Sequence, residues 1–111
     1  MADLDGDGKA EVVVGTWTET ASGQRGALAI LDWQGRLLRQ VTLPASFPAA
    51  GGTNGALGAP TLANLDAGPE VEVLLGTSHS GVVAYRIPGS VATGIRWGTG
   101  RGNLLRNGVA P

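Results

Sequence analysis

Four acidic side chains fall within nine residues near the start of this 111-residue sequence: Asp3, Asp5, Asp7 and Glu11, with Gly6 and Gly8 among them. Carboxylates at that density repel one another unless a cation sits among them. Counting Asp3 as position one, Asp5 and Asp7 stand at three and five, the Lys9 carbonyl at seven and Glu11 at nine. Calcium takes about six to eight oxygens, and a short loop supplies them when alternate residues point inward while glycines let the backbone curl. The spacing predicts a calcium (Ca2+) loop made by Asp3, Asp5, Asp7, Lys9 and Glu11. The competing reading is a solvated acidic turn, since Asp and Gly are also turn residues.

Such a loop needs a rigid element to hold it, and the next residues are Val12-Val13-Val14-Gly15-Thr16, a β-branched run with strand character. An EF-hand would place a bidentate glutamate at position twelve between two helices; that position here is Val14. The EF-hand is excluded on both counts.

The arrangement recurs. Ala2-Asp3-Leu4-Asp5 matches Ala63-Asn64-Leu65-Asp66, and Glu11-Val12-Val13-Val14-Gly15-Thr16 matches Glu72-Val73-Leu74-Leu75-Gly76-Thr77, both 61 residues on (63 − 2 and 72 − 11). Repeats of this length are a signature of radially repeated β-architectures. In the second copy Asp3, Asp5, Asp7 and Gly8 become Asn64, Asp66, Gly68 and Pro69, while Glu72 is kept. The reduced ligand charge predicts a structural turn there.

Each copy runs on into a second strand, residues 26–33 and 81–87, whose offset of 55 (81 − 26) implies an insertion of about six residues in the first connection, 16–25. Residues 36–43 alternate imperfectly and read as an outer strand, and 95–97 as a possible last one. The near-continuous apolar runs at 12–14 and 73–75 predict strands covered on both faces. Residues 44–58, dense in Pro and Gly, mark the connection between copies, and 59–64 the innermost strand of the second. The corresponding strand of the first copy is missing, as expected of a chain cut relative to a whole repeat.

Composition narrows the function. A chain with 42% hydrophobic residues can build a small core, and Gly 19 with Pro 6 suits short strands joined by turns. The net charge of −1 gives no footprint for nucleic acid, and Arg86, Arg96, Arg101 and Arg106 read as generic basic surface. Cys 0 excludes disulfides, thiolate metal sites and a cysteine nucleophile. No stretch is long and apolar enough for membrane insertion as a helix, and no signal peptide precedes the loop.

Catalytic patterns do not assemble. The single histidine, His79, lies in Gly76-Thr77-Ser78-His79-Ser80-Gly81, where the second glycine is one residue too far along for a nucleophile elbow and no helix follows. Residues 98–103 miss the last glycine of a dinucleotide fingerprint, and Gly8-Lys9 lacks the upstream glycine of a phosphate loop. Asp32, Glu70 and Glu72 offer carboxylates, but nothing in the sequence pairs them for glycosidic chemistry.

At Asp3, Asp5, Asp7, Gly8, Glu11 and the strand to Gly15 the sequence resembles the FG-GAP/VCBS (integrin-alpha-like) repeat of bacterial type, in which many members carry aspartate where Glu11 stands. The tail from Trp97 to Gly108 is similar to a Trp, Arg-Gly-Asn, Arg, Gly segment flanking such propellers. The resemblance implies an all-β fold, a partial β-propeller of about two antiparallel four-stranded blades: residues 1–49 with the calcium loop, 50–98 with the degraded loop, and a tail at 99–111. It further implies a non-catalytic, calcium-stabilised binding or scaffold module of a secreted or cell-surface protein, with a protein or carbohydrate ligand. The alternative is a fragment of a propeller enzyme, a polysaccharide lyase or quinoprotein-like oxidoreductase, with its active site in other blades. Two blades short of the four to eight that close a ring leave faces open to self-association.

Overall fold

The β-branched and aliphatic runs form strands in both copies. The computed structural model describes residues 1–44 and 52–99. In chain order the strands are β1 (Val12–Gly15), β2 (Trp17–Glu19), β3 (Ala27–Leu31), β4 (Leu37–Thr42), β5 (Thr53–Gly55), β6 (Thr61–Ala63), β7 (Val71–Gly76) and β8 (Val82–Ile87). Two single 3-10 turns, Thr20–Ser22 and Ala92–Gly94, are the only helical elements among the described residues. The protein is all-β and antiparallel, with sheets ordered β1-β3-β4, β2-β5 and β6-β7-β8.

The repeat has a structural counterpart. Gly15 lies opposite Leu28 and Gly76 opposite Val82, so the first hairpin carries an offset of 54 (82 − 28) where the second strands align. The amide of Thr16 bonds the Ala27 carbonyl at 2.8 Å, and that of Thr77 bonds the Gly81 carbonyl at 2.9 Å, with the same offset (81 − 27). The insertion is thus seven residues, one more than glycine matching suggests, because Gly81 aligns with Ala27 and not Gly26. These extra residues form β2 and the Thr20–Ser22 turn.

Each of the two main sheets holds three strands, not the expected four. In the first copy the innermost position is reduced to Ala2, which exchanges backbone bonds with Glu11, while β6 fills it in the second, with Ala63 opposite Glu72. The last strand expected at 95–97 shrinks to a single bridge between Ile95 and Ala2. Residues 44–58, expected only to connect, instead contribute β5, which pairs with β2 of the first copy. Of its three residues only Thr53 is a strand former, and Asn54 and Gly55 are disfavoured in strands, so the local sequence does not mark this ladder. The boundary placed at 49/50 and the tail from residue 100 onward lie outside the described residues.

One core joins the copies. Val13, Leu28, Ile30 and Leu43 from the first meet Leu62, Val71, Val73, Leu75 and Ile87 from the second, and Leu43, Val71, Val73 and Leu75 are completely enclosed. β7 is covered on nearly all of its length, as expected. β1 is not: Val13 faces the core, whereas Val12 is 37% exposed. Alternation along the strand sends Val12 away from the shared core. β4 is exposed along its whole length, Leu37, Leu38 and Val41 included. Among the described residues no helix is long and apolar enough to cross a membrane.

Candidate metal centre

The loop between Ala2 and Glu11 is closed at its base by that two-way backbone bridge, at 3.1 Å and 2.7 Å. Inside it the carboxylates organise the backbone. Asp3 accepts the Gly6 and Gly8 amides, each at 2.8 Å, Asp5 accepts Asp7 N–H at 3.1 Å, and Asp7 accepts Lys9 N–H at 2.7 Å. Gly6 and Gly8 both have positive φ, 79° and 87°, which lets the chain curl around Asp3.

Asp3, Asp5 and Glu11 come together. Each offers a carboxylate oxygen within 4.8 Å of the others, with Asp3 and Glu11 buried and Asp5 exposed. Three hard oxygens at that spacing are able to share one divalent cation. Asp7 stands outside this group, its carboxylate engaged with the Lys9 amide. The Lys9 ammonium lies 4.7 Å from the centre of the Trp33 ring, a cation–π contact that carries the side chain off the loop.

Glu11 has a second task. Its Oε2 accepts the Leu4 amide at 2.7 Å, a buried bond across the loop. The second copy repeats it: Glu72 Oε2 accepts the Leu65 amide at 2.8 Å. Asp66 Oδ1 accepts Gly68 N–H at 2.9 Å, as Asp5 accepts that of Asp7. Ala67 even adopts φ 61°, the one positive value outside glycine among the described residues, at the position of Gly6. The second loop therefore keeps the path of the first, diverging at Pro69, whose ring cannot take the positive φ of Gly8.

What differs is the charge that faces the acids. Arg86 pairs with Asp66, lies 3.3 Å from Glu72 Oε1 and reaches to 3.9 Å from Glu70. In the first loop Glu11 Oε1 has no such partner among the described residues, although the side chain is only 4% exposed. Arg96 approaches from the far end of the chain, donating to the Gly8 carbonyl at 3.3 Å with Asp3 Oδ2 at 3.8 Å. Arg86 and Arg96 are thus committed to the two loops and are not the generic basic surface expected of them. The Arg86–Glu72 pair has a local signal, since the β7–β8 hairpin places the two directly opposite. Arg96 has none, being 93 residues (96 − 3) from Asp3.

Beside the first loop a cleft of ~270 Å³ opens against the second copy, bordered by Asp5, Glu11, Ile30, Arg39, Ile87 and Pro88. Arg39 spans it, donating to the Pro88 carbonyl at 3.1 Å. His79 is exposed in the turn after β7.

Asp32 caps the turn between β3 and β4. It accepts the Arg36 amide at 2.8 Å, the Gln34 amide at 2.9 Å and the Arg36 guanidinium at 2.7 Å. The Arg36 amide above all, then its guanidinium and the Gln34 amide, hold the carboxyl below its ordinary value against the opposing effect of desolvation. A depressed acid stabilises the fold above its unfolded pKa of about 3.9 and loses that contribution as pH falls through the native value. Asp32→Asn is expected to melt below the wild type near neutrality, with the gap closing below about pH 4. Melting both proteins across the acid range checks this, and a gap independent of pH would count against it.

Comparisons with protein-family models, with curated proteins and with solved structures find no match to this chain.

Proposed function

We propose that the chain is a non-catalytic recognition or scaffold module, two repeats of β-propeller type with a calcium ion bound in the first loop, from a secreted or cell-surface protein. The observation that carries the metal is the contrast between two equivalent glutamates. Glu72 answers a backbone amide with one oxygen and an arginine with the other, while Glu11, equally buried, answers only the amide among the described residues. A buried carboxylate oxygen without a partner is costly, and a cation shared with Asp3 and Asp5 removes that cost. Asp3, Asp5 and Glu11 would hold the ion, which supplies structural cross-linking and no chemistry.

Extracellular calcium sites work at affinities of about 10⁻⁴ to 10⁻³ M, in keeping with a small ligand set and with that location. The exposed β4 face and the apolar part of the neighbouring cleft offer surface for a protein or carbohydrate ligand, or for further blades. Calcium titration of the full chain, followed by tryptophan fluorescence, is expected to saturate at one ion per chain. Asp5→Asn is expected to abolish that binding. A wild type that takes up no calcium would remove the metal from this reading.

A further inference from the structure

We infer that the guanidinium of Arg86 stands in the second loop where the first loop takes its ion, and so decides which of the two loops responds to divalent cations. The inference rests on the calcium reading of the first loop. The loops share two side-chain bonds and one turn: Glu11 on Leu4 matches Glu72 on Leu65, Asp5 on Asp7 matches Asp66 on Gly68, and Gly6 matches Ala67 in its positive φ. Onto this shared frame the second copy adds one cation. Arg86 contacts all three of its acids, Asp66, Glu70 and Glu72.

The register explains why only one copy has it. Arg86 lies opposite Glu72, and the hairpin offset of 54 makes Asp32 its counterpart in the first copy (86 − 54). Asp32 carries the opposite charge and is turned to Arg36 and the turn amides. A guanidinium at 86 and an acid at 32 therefore sort the loops into one whose glutamate meets a positive charge across the hairpin and one whose glutamate meets none among the described residues, Arg96 reaching the first loop only at Asp3 and the Gly8 carbonyl. A fork of five donors suits this role, since it reaches several carboxylates at once.

The test uses the full chain in an Asp5→Asn background, which silences the first loop. With Arg86 intact, thermal midpoints in chelator and in calcium are expected to coincide. Adding Arg86→Met is expected to lower the midpoint in chelator and to make it rise again with calcium. Should the double variant not fold in chelator, recovery of the fold on adding calcium is the same positive result. Arg86→Lys in that background keeps one positive charge and is expected to stay insensitive to calcium. A double variant with Arg86→Met that never responds to calcium overturns the inference, as does an equal response from Arg86→Lys. A silent wild type beside a responsive Arg86→Met variant would instead refute the first-loop reading and leave the role of Arg86 standing.

Discussion

Removing divalent cations with a chelator is expected to lower the melting midpoint of the wild type by on the order of 10 °C. Binding to the folded state alone contributes RT ln(1 + [L]/Kd), about 2.7 kcal/mol at a hundredfold excess over Kd. One kcal/mol moves the midpoint of a domain of about 100 residues by about 4 °C or more. The loop sits where such an effect is transmitted, because its opening residues are tied to the far end of the chain. The Asp3 amide bonds the Gly94 carbonyl at 2.9 Å, and the Leu4 carbonyl accepts Val91 N–H at 3.0 Å. Asp5→Asn separates charge from geometry. The amide oxygen of Asn still accepts the Asp7 N–H, so the variant should match wild type in chelator and gain nothing from calcium. Superimposable wild-type melts with and without chelator would end the metal proposal.

Gly55→Ala is expected to cost about 3 kcal/mol or more, a large part of the roughly 5–15 kcal/mol typical of a domain. Gly55 has φ 99°, where a Cβ is strained by about 1–3 kcal/mol. That Cβ would also clash with the Thr16 carbonyl oxygen and meet Gly26 Cα at 2.8 Å. Both neighbours are backbone, so neither can rotate away, and overpacking adds about 1–3 kcal/mol. The contact is where β5 meets the end of β1 and the start of β3, so the strain would fall on the seam between copies. Gly58→Ala is the control: nothing lies within 4 Å of its Cβ, and a change within about 0.5 kcal/mol is expected in urea melts. Equal stability of the two variants would contradict the close approach of Gly26 and Gly55.

The two predictions probe different layers of one molecule. The first tests a loop whose ligands are nearly contiguous; the second tests a meeting of segments 29 residues apart (55 − 26). That difference also separates what could be read in the chain from what could not.

Local order was legible. Alternate aspartates, paired glycines and apolar or alternating runs set the loop, the strands β1, β3, β4, β6, β7 and β8, and their antiparallel hairpins, because turn chemistry and side-chain alternation act over a few residues. The 61-residue repeat was legible for the same reason, as the loop clamp Glu11 on Leu4 returns as Glu72 on Leu65. Tertiary structure alone decided the remainder. It paired the Asn-Gly segment β5 with β2, withdrew Asp7 from the acidic group, left Val12 outside the core, and brought Arg96 across the whole chain to the first loop. Each of these outcomes depends on which faces meet when two sheets close on one core, and closure between distant segments leaves no periodic trace in the residues that take part.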